Sequence, residues 1–282
     1  MKTILYGKTK ELIINTDGPV VIIGESINPT RRKKLVTTLQ AGNFEYVLEL
    51  AKNQINAMAD MLDVNVGFPG VDDIKLLPET VIQLQNHFDI PLCLDSPNPR
   101  ALEAALKVIK GKCLINSVNG EEKSMNSILP VVKEYGASVI GLTMDDGGIT
   151  NDPYKRLQIA EKILNRAIRL GIKEEDVIID PLSMAISADP QACLVTLVTI
   201  RLVREKLGLN ITQGASNISF GLPDREMLNI AFMVLAIQAG LTCPIANPEK
   251  ITAAVRAADL VLARDEYAMR FVEHYEITKN HQ

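Results

Sequence analysis

Residues 138–182 read SVIGLTMDDGGITNDPYKRLQIAEKILNRAIRLGIKEEDVIIDPL. The stretch opens with a short apolar run, 138–144, and closes with another, 177–182. Such aliphatic, β-branched runs suit parallel strands buried on both faces. Between them Ala160, Ile163, Leu164, Ala167 and Ile168 recur at helical spacing, and Leu170–Gly171 supplies a glycine stop. One strand, one helix and the next strand are therefore legible in a single stretch.

The same unit repeats outward in both directions. Apolar runs ending in a small or polar residue occur at 20–25, 61–67, 91–96, 113–119, 210–217 and 243–247. Helical periodicity fills the gaps, as in Phe44, Val47, Leu48, Ala51, Ile55, Met58, Ala59 and Leu62, and in Leu102, Ala105, Leu106 and Ile109. Strand–helix units at this spacing predict an α/β chain folded as a (β/α)8 TIM barrel. A doubly wound open sheet is the alternative. Residues 1–19 alternate like a two-strand ribbon, with Asn15–Gly18 (NTDG) as a turn signal, and predict an N-terminal β-hairpin covering the bottom of the barrel. The expected organisation is one domain over 1–282, with the hairpin at 1–19 and the barrel at 20–270.

Composition narrows the function classes. Hydrophobic residues make up 47% of the 282 and the net charge is −4, so a large core is available and no basic stripe for nucleic acid is present. The short RRKK at 31–34 reads as a solvated loop or as a patch for an anionic partner or ligand tail. Cys93, Cys113, Cys193 and Cys243 are far apart, which argues against a zinc site or a disulfide framework and points to a reducing, cytoplasmic setting. Neither a secretory leader nor a membrane span is expected.

In a barrel of this kind the chemistry lies at the C-terminal ends of the strands. Those ends carry Glu25 and Asn28, Asp63 and Asn65, Asp95 and Asn98, Asn116 and Asn119, Asp180, Ser216 and Asn217, and Asn247. They hold no His, Lys or Cys nucleophile and no metal-ligand cluster. Repeated carboxylates and amides suit a flat polar heterocycle with an amide-like edge. For any one Asp or Asn, a helix N-cap is the competing role, most of all for Asn98 in SPNP.

The segments IIGESIN (22–28), LDVNVG (62–67), CLDSPN (93–98), INSVNG (115–120), IGLTMDDGGI (140–149), IDPL (179–182) and GASNISFGLP (214–223) resemble, in order and spacing, the pterin-binding methyltransferase family. That family includes methyltetrahydrofolate:corrinoid protein methyltransferases and the folate domain of cobalamin-dependent methionine synthase, within the dihydropteroate synthase-like superfamily. The resemblance implies methyl transfer between N5 of methyltetrahydrofolate or tetrahydrofolate and the cobalt of a corrinoid (cobalamin). It implies that Asp95, Asn116 and Asp180 hold the pterin edge and that Asn217 sits near N5. Gly214 and Ser216 would let a flat ring approach the backbone, and Glu25 joins the pterin-binding set. Phe220 stands where some members carry a polar residue, and Ala215 where a larger apolar one is common, so no contact is carried over at either.

No Asp-x-His-x-x-Gly corrinoid signature occurs, so the corrinoid is expected on a separate protein. The rival readings are a dihydropteroate synthase-like enzyme, disfavoured by the lack of basic residues near Asn217 before Arg225, and a non-catalytic folate-binding scaffold. The helix after GLPDRE is apolar nearly all round, which predicts a homodimer.

Overall fold

The computed structural model describes residues 1–279. Two strands, β1 (Lys2–Tyr6) and β2 (Glu11–Asn15), pair antiparallel as a separate ribbon. Eight more form a closed, all-parallel barrel: β3 (Ile23–Ile27), β4 (Met61–Val64), β5 (Leu92–Asp95), β6 (Leu114–Asn119), β7 (Ser138–Leu142), β8 (Val177–Asp180), β9 (Asn210–Gly214) and β10 (Cys243–Ala246). They follow one another around the ring, and β10 pairs back onto β3. The barrel, and not the open sheet, is the fold.

Helices α1 (Lys33–Gln40), α2 (Glu45–Asn56), α3 (Asp73–His87), α4 (Pro99–Leu106), α5 (Glu122–Tyr135), α6 (Pro153–Arg169), α7 (Ala192–Leu207), α8 (Arg225–Ala239) and α9 (Pro248–Val261) surround the barrel, with α10 (Met269–Lys279) packed on α9. Gly171 ends α6 at φ +80, as the sequence predicts. Two local expectations differ. The helical pattern that ran on to Leu62 stops at Asn56, because Met58 takes a positive φ and Leu62 belongs to β4. The hairpin turns at Gly7–Lys10, where the Gly7 amide donates to the Lys10 carbonyl, and NTDG is the exit turn after β2.

Two cores result. The larger lies between the strands and the helices. The smaller fills the lower barrel with Ile23, Met61, Cys93, Leu114, Ile140, Ile178 and Cys243, and takes in Leu5 and Ile14 from the hairpin. The hairpin thus plugs the bottom. Asn210, buried at the start of β9, donates to the Thr3 hydroxyl and the Ile14 carbonyl, tying plug to barrel.

Candidate active site

Side chains in a strand alternate faces, so each apolar residue of the inner core is followed two positions later by another inward residue. Two steps above Ile23, Met61, Cys93, Leu114 and Ile178 stand Glu25, Asp63, Asp95, Asn116 and Asp180. An apolar floor therefore carries a polar layer, with Leu142 above Ile140 and Ile245 above Cys243 as its apolar members. This layering turns a packed barrel into a cup at its C-terminal end.

Asp95 and Asn116 are register partners on β5 and β6. Asn65 donates from Nδ2 to Asp95 Oδ2 at 2.8 Å, and Asn116 donates from Nδ2 to Asp63 Oδ1 at 3.2 Å. These bonds orient both side chains and leave Asp95 Oδ1 and Asn116 Oδ1 without a partner among the described residues. The two residues line a cavity of about 370 Å³ with Ser96, Ser117, Asn119 and Leu142. The register of β6 shifts between Asn116 and Val118, and the Asn116–Ser117 peptide is cis.

Burial dominates the electrostatics. It pushes the Asp63 carboxyl well up, and the neighbouring Asp95 charge adds to the shift. Asp95 is also raised by burial, against the Asn65 hydrogen bond. Asp180 is raised to about 7 by burial, although it accepts from the Leu182 amide at 2.7 Å and from the Gly214 backbone. None of these three acids makes an ion pair among the described residues. Carboxylates left short of counter-charge can accept N–H donors from a ligand.

Glu25 on β3 and Ser216 after β9, the two neighbours of β10, meet with Ser216 Oγ donating to Glu25 Oε1 at 2.8 Å. Both line a second cavity, of about 380 Å³, with Arg225, Asn229 and Asn247. Burial raises Glu25 in spite of that bond and of the Arg32 and Arg225 charges nearby. Gly214 closes β9, and a Cβ there would lie 3.3 Å from Asn217 Nδ2, so glycine gives the amide room. Asn217 itself is exposed at the rim, in the single turn 215–217, and its side chain takes no hydrogen bond among the described residues. Asp180, Gly214 and Asn217 stand apart from both cavity linings.

Other strand-end residues take the capping role. Asn98 accepts from the Arg100 amide and caps α4, and Asn247 accepts from the Glu249 amide and caps α9. Asn28 and Asn119 accept from amides two residues on. Sequence reasoning did not assign orienting roles to Asp63 and Asn65. Their spacing of two along one strand was the available signal. In sequence Arg225 lies eight residues beyond Asn217. In space it donates to the Ser216 carbonyl at 2.7 Å and to Ser219 Oγ at 3.1 Å, clamping the loop. Among the described residues, no three His, Cys, Asp or Glu side chains gather to hold a metal ion, and no helix is long and apolar enough to cross a membrane.

Residues 24–247 match the family of pterin binding enzymes. The chain belongs to that family. It is 29% identical over 260 residues to the methylcorrinoid:tetrahydrofolate methyltransferase of Eubacterium limosum, covering 89% of this chain and 94% of that protein. It is 31% identical over 248 residues to the methionine synthase of Mycobacterium tuberculosis, covering 83% of this chain. The chain spans about a fifth of that synthase's length, the share being 21%. Among solved structures it resembles the 7,8-dihydropteroate synthase of Vibrio fischeri, with a TM-score of 0.72 at 18% identity over 94% of this chain and 99% of that one. A dihydropteroate synthase of Coxiella burnetii in complex with pteroic acid gives 0.68 at 19% identity, over 93% and 99%. At these identities the structural likeness speaks for the fold.

Proposed function

We propose that this chain is a methyltransferase that moves a methyl group between N5 of methyltetrahydrofolate or tetrahydrofolate and the cobalt of a corrinoid carried on a separate protein. The observation that carries the reading is the layer of carboxylates and amides above the apolar floor, beneath a free amide at Asn217. Asp95, Asn116 and Asp180 present acceptors to the N–H edge of a pterin, and Asn65 and Asp63 hold the first two in place. Glu25, Ser216 and Gly214 shape the side of the cup beneath Asn217. The full-length match to a methylcorrinoid:tetrahydrofolate methyltransferase supports the same reaction.

The chemistry asks little of the protein beyond positioning. The corrinoid supplies a nucleophilic cobalt as acceptor or a methylated cobalt as donor. N5 of the folate is a poor leaving group unless it gains positive character. An amide at Asn217 can hold a hydrogen bond that strengthens as N5 changes charge, which is typically worth ~2–4 kcal/mol in the transition state. The scarcity of His and Lys at the strand ends is consistent with that demand.

The test is a spectrophotometric assay with free cob(I)alamin and methyltetrahydrofolate, wild type beside Asn217→Ala. Methylcobalamin should form with wild type, and the variant should be at least about tenfold slower while binding folate normally. A wild type that binds no folate sinks the reading. Formation of dihydropteroate from p-aminobenzoate and a dihydropterin pyrophosphate would favour the synthase instead.

A second copy of the chain as partner is supported by the outward faces of α7 and α8. Leu194 and Val198 on the first, and Met227, Val234 and Leu235 on the second, are exposed, with Met227 at 61%. Sedimentation at micromolar concentration should give twice the 31.0 kDa chain mass. The four free cysteines support a cytoplasmic, reducing setting.

A further inference from the structure

The RRKK stretch is not used by the site so far described, yet the fold brings it to the loop that carries Asn217. Arg31 holds φ +60, a left-handed conformation uncommon for a residue other than glycine, and sets its guanidinium carbon 4.8 Å from the centre of the Phe220 ring. Arg225 reaches the same ring at 6.0 Å from the α8 side. Phe220 is 47% exposed and lies three residues beyond Asn217. Two basic segments therefore meet on one aromatic ring at the rim of the cup.

The acid beside these cations is Glu25, whose carboxyl feels the Arg32 and Arg225 charges. Lys34 pairs with Glu49 at 3.8 Å, but Arg31, Arg32, Lys33 and Arg225 make no ion pair among the described residues. The whole chain is net negative at −4, so acids are not scarce. Lys33 also begins α1, where the helix dipole disfavours positive charge. Among the described residues no ion pair accounts for the grouping, and four cations outnumber the one carboxyl that feels them.

We propose that Arg31, Arg32 and Lys33, with Arg225, form a subsite for the oligo-γ-glutamyl tail of a folate substrate. The inference rests on the pterin reading above. In a folate the tail is attached at the ring carbon next to N5. A ring whose N5 lies at Asn217 thus sends its tail out past the 214–220 loop, onto these cations. Consecutive basic residues suit a chain that carries a free carboxylate on each successive glutamate, and the ion pairs are of the solvated, salt-sensitive kind.

Calorimetric titration of the full chain with tetrahydrofolate as mono- and triglutamate tests this. The comparison is with Arg31→Gln/Arg32→Gln/Lys33→Gln, leaving Arg225 in place because it clamps the loop. Wild type should bind the triglutamate about tenfold more tightly at ~50 mM salt, with the gain shrinking at ~300 mM. The triple variant should lose most of the gain while its monoglutamate affinity stays within about threefold. Should that variant fail to fold, Lys33→Glu, a single exposed change, should cut the gain by about threefold. Equal affinity for both ligands in wild type, or a gain that survives in the variants, overturns the subsite. Loss of transfer to a protein-bound corrinoid, with the triglutamate gain intact, also overturns it and assigns the patch to the protein partner. Wild type binding neither ligand defeats the pterin reading itself, an outcome distinct from the other two.

Discussion

The two ends of the barrel treat their acids in opposite ways. At the bottom, Asp60 meets Arg270 at 2.9 Å and Arg256 at 3.6 Å, and also accepts from the Ile22 amide. Asp176 pairs with Lys112 and accepts from Ser138. At the top, Asp63, Asp95 and Asp180 sit in the polar layer with amide and backbone partners and no ion pair among the described residues. The lower acids are bound up in holding the hairpin and helices to the strands. The upper acids keep unspent accepting capacity, at a cost to the fold. Raising Asp180 to about 7 from 3.8 corresponds to roughly 4 kcal/mol against its ionised form.

The largest effect should come from breaking the lower arrangement. Asp60→Ala leaves Arg256, 1% exposed, without its acid, and should cost ~3–5 kcal/mol in urea unfolding. Folate affinity of the folded protein should not change. Adding Arg256→Met should restore more than half of the loss, since the stranded charge is then gone.

At the upper end the sign should reverse. On the proposed pterin site, Asp180→Asn removes an acceptor for the ring and should weaken folate binding by roughly 30-fold in calorimetry. The same change should stabilise the unliganded protein above neutral pH by ~1–3 kcal/mol. The folded pKa of Asp180 lies above its unfolded value, so the native state holds the extra proton between about pH 4 and 7. Stability from this residue is therefore full at low pH and is lost as pH rises towards 7. Folate binding runs the other way, because the ionised carboxylate is the better acceptor. Affinity should rise about tenfold from pH 6 to 8 and should flatten in the Asn variant. The smallest effect expected is at the plug. Thr3→Val removes the hydrogen bond accepted from Asn210 and the one donated to the Glu175 carbonyl, and should cost ~1–2 kcal/mol in the same urea experiment, with activity unaffected.

The barrel was legible because its strands are short apolar runs with clear helical spacing between them. What blurred was punctuation. NTDG has turn chemistry and does form a turn, but Gly7–Lys10 is where the ribbon reverses, and both segments are equally polar. Helical spacing could not reveal the end of α2, since Ala59 and Leu62 are apolar for a different reason, the start of β4. At the site, Asp95, Asn116 and Asp180 were visible as strand ends. The Asn65–Asp95 and Asn116–Asp63 bonds were not, because the first joins adjacent strands and the second skips one, so the partners lie 30 and 53 residues apart in the chain. Arg31 and Phe220 meet from opposite ends of the sequence, and no local pattern announces that contact.

The hairpin plug also bears on the order of events. Leu5 and Ile14 pack into the lower end, both at 0% exposure, which leaves the upper mouth as the open end. If the corrinoid protein we propose docks over that mouth, a folate in the cup obeys the rule of a stack: last in, first out. The folate then arrives before the partner docks and leaves only after the partner has gone.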